Sequence, residues 1–350
     1  MDAPPPSSRL AVDLAALTAN WQRFARASGA AACGAAIKAN GYGLGARPVM
    51  DALAAAGCRD FFVAHWAEAA KIGPLPQGVR LAVLHGAGPG ELPAALASPA
   101  VPVLCTPAQV QAWKTTGRPC DVMIDTGMNR LGLSPAEAMS GLLDGLLESR
   151  ALHTLHSHLA CADEPEHPLN AAQRSAFAAV AAHFPAVRHA LANSAGIGLG
   201  AGYHFGLTRP GIGLYGGGQS PDGAPLAPVA SLAARILQIR DVPAGASIGY
   251  GATFTTSRPS RIAIVSLGYA DGYPRALSNK GLAHIAGTAC PLVGRVSMDL
   301  TAFDITDAPA PLEGDDLAIA FDLAATADAA RRSQYELLTG LGPRYARIYR

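Results

Sequence analysis

The feature that most constrains this chain is an alternation. Over its first two-thirds, short apolar runs trade places with alanine-rich stretches whose apolar residues recur near the helical period. The runs include RLAVLH (Arg80–His85), VPVLC (Val101–Cys105), VMID (Val122–Asp125) and LHTLHSH (Leu152–His158). Between them, Val49–Ala56, Pro107–Lys114 and Pro168–His183 carry the helical spacing. Strands separated by crossover helices pair in parallel, so the pattern predicts βα units. With about 210 residues given to it, an eight-stranded (β/α)8 TIM barrel is favoured over an open doubly wound sheet.

After Tyr215 the texture changes. Gly216–Pro228 (GGGQSPDGAPLAP) reads as a loop, and helical periodicity then fades until Asp322–Ala330. Apolar runs bounded by turn residues take over: Ala233–Ile239, Arg261–Leu267, Ala283–Ala286, Val293–Met298 and Leu317–Ala320. The expected organisation is an N-terminal barrel over 9–225 and a C-terminal mainly-β domain over 226–350, with the first strand free to pack with the second domain.

Half the residues are hydrophobic and 15% are charged. That is ample core under a sparsely charged surface, which excludes a disordered chain. Twenty-seven basic residues against 26 acidic ones give a net charge of +1, so no electrostatic case exists for nucleic acid or a membrane surface. Little repulsion keeps copies apart, which leaves self-association open. The opening MDAPPPSSRL has no basic stretch followed by an apolar core, and nowhere do 18 strongly apolar residues run together. Six cysteines form no CxxC pair. A cytoplasmic protein with reduced thiols is expected.

Three strings bear on chemistry. In AAIKANGYGLG (Ala35–Gly45), Lys38 ends an apolar run. Such a lysine is most often a solvated strand-end charge; at a barrel mouth, burial would instead free its amine to attack a carbonyl. Among His153, His156 and His158, the last two share a strand face. A metal would want a third ligand such as Asp163 or Glu164, so a hydrogen-bonded barrel histidine is the better reading and no metal is expected. GIGLGAG (Gly196–Gly202) and GIGLYGGG (Gly211–Gly218) look like phosphate cradles. They lack the features of a P-loop or dinucleotide fingerprint, but their late position suits the phosphate site of a barrel.

Taken together, AAIKANGYGLGA, MIDTGMNRLGL, HSHLACADEP, NSAG, TRPGIGLYG, IGYGATF, LGYADGYPRAL and LVGRVSMDLT stand in this order along the chain. The series resembles the alanine racemases, pyridoxal-phosphate enzymes of the barrel type, almost from end to end. The resemblance implies pyridoxal 5'-phosphate held as a Schiff base by Lys38. It implies that Tyr42, Ser194, Gly211 and Ile212 hold the cofactor phosphate, and that Arg209 faces the pyridine nitrogen and weakens the electron sink. His158 would link Arg209 to a catalytic tyrosine, and Arg130 would meet the substrate carboxylate. Racemisation moves a proton off one face of the α-carbon and onto the other, which two opposed bases accomplish. The resemblance assigns these to Lys38 and Tyr250. Tyr250 would come from a partner subunit, whose Met298 and Asp299 line the substrate pocket while Tyr269 narrows the entrance. A homodimer with shared active sites, acting on alanine for peptidoglycan supply or alanine catabolism, follows.

Two positions depart from the family pattern. Met123 stands where many members carry a lysine that positions the arginine, so something else must orient Arg130. Pro343 falls where some members place a phosphate-contacting tyrosine, and whether Tyr345, two positions on, replaces it is open on sequence grounds. A broad-specificity amino-acid racemase is the first alternative. A barrel-type decarboxylase is disfavoured by Arg209, since those enzymes set an acidic residue against the ring nitrogen. A non-catalytic pyridoxal-phosphate carrier is a lone barrel, and the second domain argues against it.

Overall fold

The computed structural model describes residues 7–350. The opening MDAPPP, read above for a signal segment, lies outside the described residues. Two compact units result: Leu17–Ala227, and the segment up to Ala16 together with Pro228–Arg350.

In the second of these, β1 (Ser8–Val12) is the first element among the described residues and belongs to the β-rich unit. The barrel unit is built from β2 (Ala32–Cys33), β3 (Ala35–Ala36), β4 (Asp60–Val63), β5 (Arg80–Val83), β6 (Val101–Leu104), β7 (Cys120–Met123), β8 (Leu152–His156), β9 (Arg188–Ala190) and β10 (Leu207–Thr208). All are parallel, ordered β2-β10-β9-β8-β7-β6-β5-β4-β3. β2 and β3 are halves of one strand broken at Gly34. Its amides serve both neighbours: Ala32, Gly34 and Ala36 donate to Gly206, Thr208 and Pro210, and Ile37 donates to Phe62. The sheet therefore closes as an eight-stranded βα barrel. Gly34 is required by close approach, because a Cβ there would stand 2.8 Å from the Asp60 carbonyl oxygen and 2.9 Å from the Phe62 ring.

Local chemistry starts the helices where the strands end. Thr106 caps Pro107–Lys114 by accepting from the Gln109 amide, and His167 caps Pro168–His183 from Leu169. Both helices place proline in the first turn, where a missing N–H costs nothing. Inside the barrel, Phe62, Ala82, Val103, Cys105, Met123, Ala190 and Leu207 form a buried cluster. Met123 is thus an apolar side chain packed in the barrel core.

The β-rich unit centres on the 13-residue β11 (Ala230–Val242), which carries a bulge between Ile236 and Gln238. β1 pairs antiparallel with β11 and parallel with β19 (Ala346–Tyr349). The remaining strands are β12 (Ser247–Ile248), β13 (Phe254–Thr255), β14 (Ser260–Val265), β15 (Leu282–Ile285), β16 (Thr288–Pro291), β17 (Thr301–Asp304) and β18 (Asp316–Ile319). β14 and β18 flank β11, β17 pairs β14, and the β15–β16 hairpin joins β18. The expected strand over Val293–Met298 does not form. Gly294 sits at φ +79°, and the segment's backbone is spent on loop contacts, Tyr269 donating to Ser297 and Ala270 to Met298. Among the described residues, no helix is long and apolar enough to cross a membrane.

Candidate active site

In a βα barrel the carboxyl ends of the strands gather the chemistry. Lys38, His158 and Arg209 each follow such an end, after β3, β8 and β10. Lys38 opens a turn in which Ala39, Asn40, Gly41 and Tyr42 all hold φ between 52° and 62°. Three of these are not glycine, so the turn is strained and must be held from outside. Glu68 does this, one carboxylate oxygen accepting from the Ala39 amide and the other from Ala64. Asn40 accepts from the Ala46 amide at 3.1 Å. The Lys38 ammonium sits below its ordinary pKa, first through burial and then through the charge of Arg130, with Glu68 opposing and Arg209 adding to the depression.

Tyr42 turns inward and stacks on Tyr215, ring centroids 4.6 Å apart. Its hydroxyl lies against Gly211, where a Cβ would stand 2.4 Å from Tyr42 Oη. Ser194 Oγ accepts from the amides of Gly211 at 2.8 Å and Gly213 at 3.2 Å. Ile212 opens the short 3-10 helix Ile212–Tyr215, and Ser194 opens Ser194–Gly198, capped by Asn193. Two helical starts and a tyrosine hydroxyl therefore converge, an arrangement suited to a phosphate. Phe24, fully buried, presses on the back of this cradle, since a Cβ on Gly213 would meet its ring at 2.2 Å.

Arg209 is 7% exposed and donates from Nη2 to the carbonyls of Ser157 and Leu191, while Nη1 is buried without a partner. Burial draws its pKa down to about 10, Asp121 opposing the shift. The expected hydrogen bond between Arg209 and His158 is not formed: Nη2 goes to main-chain carbonyls and Nη1 is left without a partner. His158 is nevertheless close enough to feel it. Burial, then Arg209, Arg130 and Lys38, push the imidazole down to about 3, so it is neutral near pH 7.

Arg130 lies in the loop after β7, and the residue that shapes this loop is Asp125. Its carboxylate accepts from the amides of Gly127, Met128, Asn129 and Arg130 at 2.8–3.1 Å. Burial raises the Asp125 carboxyl, and the four donors outweigh burial and hold it below the usual range. The loop backbone at Arg130 is thus fixed without a lysine at Met123. The sequence signal was present in DTGMNR, an Asp followed by glycine and small polar residues, but only the fold shows how many amides it takes.

Among the three histidines, His156 is fully buried and bonds Asp121 at 3.0 Å, the hydrogen-bonded barrel histidine anticipated. Asp121 itself was not singled out by motif. The remaining candidates stand in the β-rich unit. Tyr250 follows Gly249 (φ 72°) and is 73% exposed. Tyr269 and Met298 lie side by side through the Tyr269–Ser297 and Ala270–Met298 backbone bonds, and both are exposed. Arg344 ties Asp299 to buried Asp271, at 2.7 Å to each. Pro343 is exposed beside it, while Tyr345 is 3% exposed with its hydroxyl buried and unpartnered, in this unit's interior near Asp271 and Tyr273.

These features define the class: a βα-barrel enzyme with a β-rich companion domain, bearing a low-pKa lysine in the barrel unit that also holds an anion cradle. The family model for the alanine racemase N-terminal domain matches residues 12–219, and that for the alanine racemase C-terminal domain matches 229–349. An alanine racemase of Rhodospirillum rubrum is 47% identical over 97% of this chain and 95% of its own. One from Acidiphilium cryptum is 45% identical over 97% and 98%. The crystal structure of an alanine racemase from Bartonella henselae, with covalently bound pyridoxal phosphate, superposes with a TM-score of 0.88 at 37% identity, covering 99% of this chain and all of that one. The chain belongs to the alanine racemase family.

Proposed function

We propose that the protein interconverts L- and D-alanine with pyridoxal 5'-phosphate, using two bases of which one comes from a second subunit. The observation that carries this reading is Lys38, an amine depressed below its ordinary pKa. A neutral amine can attack a carbonyl, which a solvated ammonium cannot.

The residues fit the cofactor. Gly211 lets the Tyr42 hydroxyl and the Ser194 Oγ come up against the backbone, a close approach that any Cβ would block. Arg209 Nη1 is an orphaned, buried donor of the kind that a ring nitrogen acceptor would satisfy. Tyr42, Ser194, Gly211 and Ile212 would hold the phosphate, Lys38 the carbonyl carbon and Arg209 the pyridine nitrogen. Bound there, pyridoxal phosphate supplies an electron sink that acidifies the α-hydrogen of an amino acid.

The chain's own residues do the rest. Lys38 Nζ takes or gives the proton on one face of the α-carbon. Tyr250 Oη does so on the other, each conjugate acid serving the reverse direction. Arg209, always protonated near neutrality, leaves the ring nitrogen unprotonated, which limits charge delocalisation and favours return of the proton to the α-carbon over transamination. Arg130, its backbone pinned by Asp125, receives the substrate carboxylate. Met298 and Asp299 of the second subunit line the substrate pocket and Tyr269 narrows its entrance, which favours a small side chain. The exposure of Tyr250, Tyr269 and Met298 supports their use against a second copy, since large apolar groups left open mark contact surfaces.

Mixed subunits test the shared site. Lys38→Ala and Tyr250→Phe homodimers should each racemise alanine far more slowly than wild type. Unfolded and refolded together, they should recover activity, because a mixed dimer holds one complete site. Mixtures no more active than their parents would contradict the shared arrangement.

A further inference from the structure

At the end of the barrel away from Lys38, where β4, β5 and β9 begin, a hollow of about 330 Å³ is lined by Arg59, Asp60, Gly78, Arg80, His153, Thr154 and Arg188. Two ion pairs cross its floor. Arg188 grips Asp60 through both terminal nitrogens and touches Thr154 Oγ1 through Nε, and Arg80 Nη2 donates to buried Asp121 at 2.6 Å. These pairs account for the two carboxylates, and alone they would read as a plug closing the barrel.

Donors nevertheless exceed acceptors. Three guanidinium groups face two carboxylates. Arg80 Nη1 is buried with no hydrogen-bond partner, and a buried charged donor left unpaired is costly. Arg59 has no carboxylate; its Nη1 caps the carbonyls of Ala54 and Cys58 at the end of Ala46–Ala55. His153, on the rim, is held below its ordinary pKa first by desolvation and then by Arg80, with Asp121 opposing and Arg188 adding.

We propose that this hollow is a binding site for a phosphate-class oxyanion, either inorganic phosphate or a small phosphate monoester. Guanidinium groups from three separate segments suit a tetrahedral group of oxygens better than the two coplanar oxygens of a carboxylate. Bound oxyanion would balance the guanidinium charge that Asp60 and Asp121 leave over. Because Arg80 also holds Asp121, and Asp121 holds His156 at 3.0 Å, occupancy at this end reaches a buried chain of polar groups inside the barrel.

The test uses enzyme loaded with pyridoxal phosphate, so that the cradle at Ser194 and Gly211 is filled, and follows the phosphorus resonance of added inorganic phosphate or glycerol 3-phosphate. Saturable broadening with half-effect below about 10 mM is expected. Arg59→Gln keeps both ion pairs and should weaken binding about tenfold, the loss of one charge-assisted contact, with KM for alanine unchanged and a lower melting temperature from the lost bonds to Ala54 and Cys58. Tighter binding of the ester assigns a monoester as the ligand, and tighter binding of the free ion assigns phosphate. Absence of saturable binding, or equal binding by Arg59→Gln, overturns the proposal. Arg59 is outside the cradle, so a loss on Arg59→Gln separates this site from stray occupancy of the cofactor position.

Discussion

Gly211→Ala tests the cradle where its geometry is least forgiving. The new Cβ would stand 2.4 Å from Tyr42 Oη, 3.2 Å from Tyr42 Cζ and 3.5 Å from Ala36 Cβ. Only the hydroxyl contact is impossible, short by roughly 1 Å of an ordinary carbon–oxygen contact. Gly211 has φ −126°, so left-handed strain is not at issue. Tyr42 cannot swing away cheaply, being 5% exposed and stacked on Tyr215. Overpacking of this kind costs about 1–3 kcal/mol, a fall of several degrees in Tm at roughly 2–4 °C per kcal/mol. A shift of roughly 1 Å between the hydroxyl and the amides should also cost cofactor binding about 10–100-fold. The assay is titration of apoprotein with pyridoxal phosphate, followed by its absorbance, alongside thermal unfolding. Tyr42→Phe removes the offending atom, so the double variant should be more stable than the sum of the two changes by at least about 0.5 kcal/mol. Additive effects, or wild-type cofactor affinity in Gly211→Ala, would refute the cradle reasoning.

Other consequences are as direct. Asp125→Ala strips four amides of their shared acceptor and should raise KM for alanine more than it lowers kcat, because it disorders the Arg130 loop without touching Lys38; an unchanged KM would remove Asp125 from the positioning of Arg130. Arg209→Glu should let transamination appear, read as pyruvate and pyridoxamine phosphate, and an unaltered ratio of side reaction to racemisation would contradict its role. The depressed pKa of Lys38 predicts that the rate of cofactor capture levels off at a pH below the ordinary lysine value, and a midpoint at that ordinary value would place the amine in solvent. His156 has a folded pKa of about 4, below the unfolded value of about 6.5. The unfolded chain therefore binds the extra proton between these values, and this contribution is lost as pH falls from about 6.5 toward 4. The slope should approach about 1.4 kcal/mol per pH unit and lessen in His156→Gln, measured by denaturant unfolding.

Much of the architecture was legible because the barrel strands with clear apolar runs, β5 to β7, are buried on both faces and so read as largely hydrophobic stretches. β9 and β10 were not, being short and written as Arg188–Ala190 and Leu207–Thr208, too brief for a periodicity to declare itself. Val293–Met298 has strand-like composition, yet long-range backbone bonds from Tyr269 and Ala270 claim it as a loop. At the candidate site, the motif residues were visible as a series, whereas their supports were not. Glu68 holds the Lys38 turn at the Ala39 amide from 29 positions along the chain, and Asp121 meets His156 from a neighbouring strand. Contacts of that kind are products of the fold, and no local spacing encodes them.

The central claim is tested most directly by incubating the purified protein, supplied with pyridoxal phosphate, with pure L-alanine and separating the enantiomers by chiral chromatography. Approach to an equal mixture of L- and D-alanine, abolished in Lys38→Ala, is the predicted result. Retention of L-alanine alone by protein whose absorbance shows the cofactor bound would contradict it.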